Sequence, residues 1–285
     1  MNTPSLGGAR YFVTFIDEWT RYTVVKLMKS KTEVMKHFME YKAWAENVSN
    51  HRIQMIRTDN GGEYCSKAFD QLLAQAGISR QKTPPYTPEH NGVAERANRT
   101  IVEAARSMIH GANLDYSYWG EAVMAAVYLR NRSPSSYVKT AARNQKNIPT
   151  LDKRTPYQAW TGEKPSLGHL KVFGCKAYAH IPDEKRTKLE AKAVECVFVG
   201  YSLESKAYRL WDPVNRRLII SRDVTFLENQ KYYDHTETME IIGGGRVQIA
   251  PTLPNAPIIA RNDDSLLPSN NSPYQADSED EPVRI

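Results

Sequence analysis

Thr58-Asp-Asn-Gly-Gly-Glu-Tyr64 ends one short β-rich run, and Pro85-Tyr-Thr-Pro-Glu-His-Asn-Gly-Val-Ala-Glu-Arg-Ala-Asn-Arg99 leads into one long helical pattern. The first places a carboxylate, Asp59, at a strand end, where the turn residues Asn60-Gly-Gly62 leave it uncovered. The second carries Glu95 into the start of a helix just after a proline-rich loop, with 35 residues between the two acids. Two carboxylates on converging elements are what a two-metal phosphoryl-transfer site requires. Hard oxygen ligands suit Mg²⁺ or Mn²⁺, and a pair of ions can activate the nucleophile and stabilise the leaving oxygen. Taken as a bare pair, the same acids would be solvated surface charges, so the surrounding residues must decide.

Upstream, Arg10–Asp17 and Arg21–Met28 are β-rich runs around a polar break and form an antiparallel hairpin. From Lys31 to Asn47, Val34, Phe38, Tyr41, Trp44 and Ala45 recur at helical steps, with Thr32 as the expected start. Ile53–Thr58 is a strand, Ser66–Gly77 a helix closed by its glycine, and Thr83–Gly92 a loop too rich in proline for either. Helices follow over Val93–His110 and Leu114–Asn131, the latter with Trp119, Ala122, Val123, Ala126, Val127 and Leu129 on its apolar side. Alternating strands and helices indicate an α/β sheet.

Beyond Pro156 the texture changes. Val172–Ile181, Val194–Tyr201, Ala207–Asp212 and Arg217–Thr225 are short β-rich runs that predict a small all-β barrel. After Glu228 the chain is rich in Pro, Asn, Ser and Asp and is expected to be disordered. Gly243-Gly-Gly245 lacks the Lys-Ser/Thr sequel of a phosphate loop and is assigned to linker. The formal charge of +6 is uneven: Asp263–Ile285 holds six acids and one base, a net −5, leaving +11 on the rest. A basic body with an acidic tail suits a nucleic-acid partner. The three cysteines, Cys65, Cys175 and Cys196, suggest no disulfide framework and are expected as small buried groups. No Cys-x-x-Cys or paired histidines occur, so no zinc is expected. No apolar run approaches a bilayer span, and an intracellular protein without a membrane partner is expected.

The two quoted stretches closely resemble the integrase core of copia-type LTR retrotransposons, where they form the second and third members of a D,D-35-E triad. Tyr11–Tyr22, Tyr118–Val123 and Tyr128–Pro134 resemble the hairpin and C-terminal core helix of that family. Thr155–Pro165 and Leu170–Cys175 resemble the join to its SH3-like domain, which Phe198–Tyr201, Tyr208–Pro213 and Ser221–Phe226 continue. The resemblance implies an RNase H-like integrase core over residues 1–165, an SH3-like β domain over 166–230 and a disordered acidic tail over 231–285. It implies Asp59 and Glu95 as catalytic metal ligands for two Mg²⁺ or Mn²⁺ ions, and strand transfer of element cDNA into target DNA. It further implies a homo-oligomer, working in the nucleus after assembly in a cytoplasmic particle.

The family's first aspartate sits on an opening strand, in a phrase like Asp-x-x-Gly-Pro that is not found among the 58 residues before Asp59. Met1–Gly8 resembles the stretch just downstream of that phrase, so the sheet is expected to lack its central first strand and the segment alone to be destabilised and inactive. A non-catalytic nucleic-acid-binding relic is the alternative. Asp17 is the possible third carboxylate, with a polar hairpin role as its rival. On the Glu95 helix, Asn98, Arg99 and Arg106 return to one face and are expected to hold DNA. Asn91 is expected as a helix cap or a loop contact to DNA. Lys185, Arg186, Lys188 and Lys192 add positive charge to the β domain.

Overall fold

A computed structural model describes residues 1–58, 61–62, 64, 66–82, 92–135, 154–233 and 283–284. Asp59, Tyr86, His90, Asn91, Cys65 and most of the acidic tail, including Gly243–Gly245, lie outside the described residues.

The expected hairpin is present. Strand β1 (Tyr11–Ile16) pairs antiparallel with β2 (Thr23–Met28), Tyr11 opposite Met28 and Ile16 opposite Thr23. Side chains alternate between faces along a strand, and here both faces of β1 are covered. Val13 and Phe15 pack against helix α1 (Val34–Ser49) and helix α2 (Lys67–Ala76), while Phe12 faces helix α4 (Trp119–Arg132) and Thr14 faces helix α3 (Gly92–Gly111). Helix α1 begins one short turn later than expected. Ser30, not Thr32, caps that turn through a reciprocal pair with Glu33, so the Ser-x-x-Glu signature outweighs the threonine. Ser66 and Gly77 bracket α2 as expected.

Strand β3 (Met55–Thr58) does not pair with β1. It runs parallel to β4 (Ser79–Lys82), a strand the sequence pattern did not announce, because its polar Ser-Arg-Gln-Lys run carries no apolar alternation. Among the described residues, the β1–β2 hairpin and the β3–β4 pair thus belong to separate sheets. On its other edge β1 pairs in parallel with β10 (Val283–Arg284).

Asp115 caps a single 3₁₀ turn that leads into α4, so the expected Leu114–Asn131 helix divides there. Both sides of α4 are buried. One side meets β2, where the Asn131 amide accepts from the Thr23 N–H and donates to its carbonyl. The other meets β6 (Ala193–Tyr201), whose Val197 and Val199 join the same apolar cluster as Ala122, Val123, Ala126 and Val127. Arg209 closes the joint with a two-pronged ion pair to Glu121 at 2.8 Å. Gly200 lies at a break in the β6 register, and a Cβ there would sit 3.7 Å from Ala125.

Helix α5 (Pro156–Thr161), capped by Thr155, carries Trp160 onto Tyr22 and Trp44. The β region is one antiparallel sheet in the order β8 (Arg217–Ser221), β7 (Tyr208–Asp212), β6, β5 (Cys175–His180), β9 (Val224–Lys231). The expected Arg217–Thr225 strand is two strands, because the chain turns at Arg222-Asp223. Cys175 and Cys196 are buried free thiols, raised to about 11 chiefly by that burial.

Candidate metal and nucleic-acid site

Helix α3 organises the site. Ala94, Asn98, Ile101 and Ala105 fall at steps of three or four and are buried, forming its inner stripe. Arg96, Arg99, Glu103, Arg106 and His110 form the exposed stripe. Glu95 stands in the first turn, at the border between the two, and is half-buried. A carboxylate in the first helical turn is favoured by the exposed N–H groups there. At the start of the helix Gly92 leaves room for the Arg96 guanidinium: a Cβ would lie 2.8 Å from its Nη1.

A cleft of about 230 Å³ opens beside this turn. Asp17 and Glu18 from the end of β1, Tyr41 from α1, Ile56 and Arg57 from β3, and Val93 and Ala94 from α3 line it. The residues just before Asp59 and just before Glu95 therefore share one cavity. Thr58, the last residue of β3, is fully buried. Of the cleft's lining side chains, Asp17 and Glu18 carry carboxylate oxygens, the donor type that a hard divalent cation takes. Among the described residues no group of three or more His, Cys, Asp and Glu side chains is close enough to hold a metal.

Asp17 lines the same cleft, but its Oδ2 accepts from both the Thr20 backbone N–H and the Thr20 hydroxyl, each at 2.7 Å. That arrangement shapes the hairpin turn, helped by Arg21 in a left-handed backbone conformation. Burial lowers the Arg21 pKa, and nearby Arg96 and Arg57 add to the effect. Positive charge from Arg21, Arg57 and Arg96 thus gathers near the cleft, and none of the three was singled out from sequence. Arg57 bonds Gln81, 24 positions away, so no local pattern could have marked it.

Asn98 corrects an expectation. It is 2% exposed, on the inner stripe, and its Oδ1 accepts a 2.9 Å hydrogen bond from the Thr14 hydroxyl on β1. A side chain so enclosed does not reach the DNA backbone. Arg99 and Arg106 are exposed as expected. In the β region Arg186 is folded onto Asp183, which removes it from the basic surface, while Lys185, Lys188 and Lys192 are exposed.

Residues 175–240 match the family described as the retroviral polymerase SH3-like domain, and residues 12–111 match the TnsB C-terminal domain. An α/β region followed by a retroviral-polymerase SH3-like sheet is the class these matches and the fold define. Among curated relatives, the Retrovirus-related Pol polyprotein from transposon TNT 1-94 of Nicotiana tabacum is 47% identical over 81% of this chain. The corresponding polyprotein from transposon RE1 of Arabidopsis thaliana is 39% identical over 77%. The chain spans 16% and 14% of those relatives' lengths. It belongs to the Retrovirus-related Pol polyproteins of copia-type transposons. Two solved structures also match. A simian T-cell lymphotropic virus intasome with PP2A regulatory subunit B56 gamma has 16% identity and TM-score 0.38, covering 75% of this chain and 77% of that one. The HTLV-2 integrase catalytic core in complex with magnesium has 16% identity and TM-score 0.35, covering 52% and 94%.

Proposed function

We propose that this chain binds the cDNA ends of its element and target DNA and serves the metal-dependent transfer of one to the other. The observation that carries this reading is that Val93 and Ala94, just before the half-buried Glu95, line one cleft with Met55, Ile56 and Arg57 of β3, at the start of a helix whose outer face is rich in arginine. Asp59 and Glu95 would hold the divalent cations. When bound, such ions supply charge stabilisation to the attacking and leaving oxygens. Arg99 and Arg106 hold DNA phosphates along the outer face of α3, and Asn91 contacts DNA from the loop before it. The working form is a homo-oligomer of the longer polyprotein product, acting in the nucleus.

The segment by itself transfers no strands in this reading, because the Oδ2 of Asp17, the possible third carboxylate, is committed to Thr20. The same tie favours the alternative of a DNA-binding protein without catalysis. Mn²⁺-dependent strand transfer on element-end DNA, with Glu95→Gln beside the parent, decides between them. Transfer that vanishes in the variant establishes catalysis and recruits Asp17. DNA binding without transfer supports the silent segment, and the Arg99→Ala/Arg106→Ala chain should then lose about two from the salt slope of binding. No salt-dependent DNA binding by the parent would sink both readings.

A further inference from the structure

The Thr14–Asn98 hydrogen bond is the polar contact between β1 and α3 in an otherwise apolar seam. Ala94, Ala97, Ile101 and Ala105 lie around it on the helix, and Phe12 shares its face of the strand, all nearly or fully buried. Apolar burial is non-directional, and small side chains let a helix slide or turn by a fraction of its 1.5 Å rise with little change in contact. A hydrogen bond of 2.9 Å tolerates no such drift. Asn98 follows Glu95 by three positions, so the two side chains are neighbours along one side of α3. Whatever fixes Asn98 against β1 also fixes where α3 holds Glu95 relative to that strand.

Stability alone does not account for this pair. Thr14 is fully buried, Asn98 nearly so, and the Asn98 Nδ2 donor is enclosed with no hydrogen-bond partner among the described residues. A buried donor left unmatched is costly, and an apolar pair of similar shape would remove the cost. We infer that Thr14 and Asn98 are positioning residues: their buried hydrogen bond sets the register of α3 on β1 and so aims Glu95 for divalent-metal binding. The inference rests on the metal-binding reading of Glu95 given above.

The test measures Mn²⁺ affinity of the full chain by paramagnetic resonance of free Mn²⁺, with urea unfolding of each variant alongside. Glu95→Gln tests the underlying reading, Thr14→Val and Thr14→Val/Asn98→Leu remove the hydrogen bond, and Thr14→Ser keeps it. The expected result is loss of Mn²⁺ binding in Glu95→Gln and affinity weakened roughly tenfold or more in the two apolar variants. Thr14→Ser should bind like the parent, and the apolar double variant should unfold at a urea concentration no lower than the parent. A merely structural pair would instead show affinity and stability falling together, which overturns the inference. Unchanged Mn²⁺ affinity in Thr14→Val and the double variant also overturns it, while leaving the role of Glu95 intact. A parent that binds no Mn²⁺, or a Glu95→Gln chain that binds it equally well, defeats the metal reading and the inference with it.

Discussion

The α/β region and the β region solve the problem of holding strands in place by different means. In the β region five strands share one hydrogen-bonded ladder, and Phe198, Leu210, Ala177 and Cys196 pack its core. The backbone itself sets the geometry there, and single side chains matter mainly through the volume they fill. In the α/β region the sheet of β1 and β2 and the sheet of β3 and β4 are not bonded to each other among the described residues, and helices pack against both. Position there depends on single side-chain hydrogen bonds: Asn131 to Thr23, Asn98 to Thr14, Asp17 to Thr20. The candidate site lies in the region whose geometry is set side chain by side chain.

The largest effect should come from breaking the joint between the two. Gly174 has φ +79° and a Cβ there would lie 2.2 Å from the Ala112 Cβ at the end of α3. Gly174→Val combines backbone strain with overpacking and should cost about 4 kcal/mol. Urea unfolding followed separately by fluorescence and far-UV circular dichroism should show both regions weakened together. If only one probe shifts, the regions unfold independently and the joint is not shared.

A smaller loss is expected at the ion pair across the joint. Glu121→Ala leaves the Arg209 guanidinium mostly enclosed without its partner and should destabilise by roughly 2 kcal/mol. Glu121→Ala/Arg209→Leu should recover part of that, and a chemical-denaturation cycle over the four proteins measures the coupling. Strictly additive losses would show that the pair does not hold the regions together.

Acid should also act inside the β region. Burial alone would raise the Asp212 carboxyl, but hydrogen bonds from the Asn215 backbone N–H and Nδ2 and from Arg217 Nε outweigh it and hold it below 3.8. A depressed carboxyl contributes stability that is fully present above its unfolded value and lost as pH falls through the folded one. Asp212→Asn should therefore flatten the acid limb of the stability curve below about pH 4. An unchanged limb would move the acid sensitivity elsewhere.

The smallest effect belongs to His169, whose Nε2 meets the Tyr128 hydroxyl at 2.7 Å. Burial, then the charge of Arg132, holds its pKa below 6.5. The neutral ring is the folded form, so its contribution is present above 6.5 and fades as pH falls below that. Comparing urea midpoints at pH 7 and 5.5 for the parent and His169→Gln reads it out, with the parent expected to lose slightly more.

Much of this was legible in the residues. The hairpin, the helix caps at Ser66 and Gly77 and the β-rich runs follow from local alternation, period and turn chemistry, which act within a few positions. What was not legible depends on partners far along the chain. Helical period already put Asn98 in line with Ala94, Ile101 and Ala105, yet its polar character pointed outward; its partner Thr14 is 84 positions away. Strand β4 was missed because both its faces are polar. The second buried side of α4 was hidden because its small residues Gly120 and Ala125 carry little apolar signal until β2 and β6 are brought against them.

That doubly covered helix has a consequence for inheritance. Sequence texture changes around Pro156, as though one piece ended and another began, but the packing seam runs through α4, well before that point. Val197 and Val199 complete a surface that the upstream piece cannot finish alone. Recombination between distant elements that exchanged only the downstream piece would leave mismatched faces at α4, so the two pieces travel between lineages as a single cassette or accumulate compensating changes along that helix.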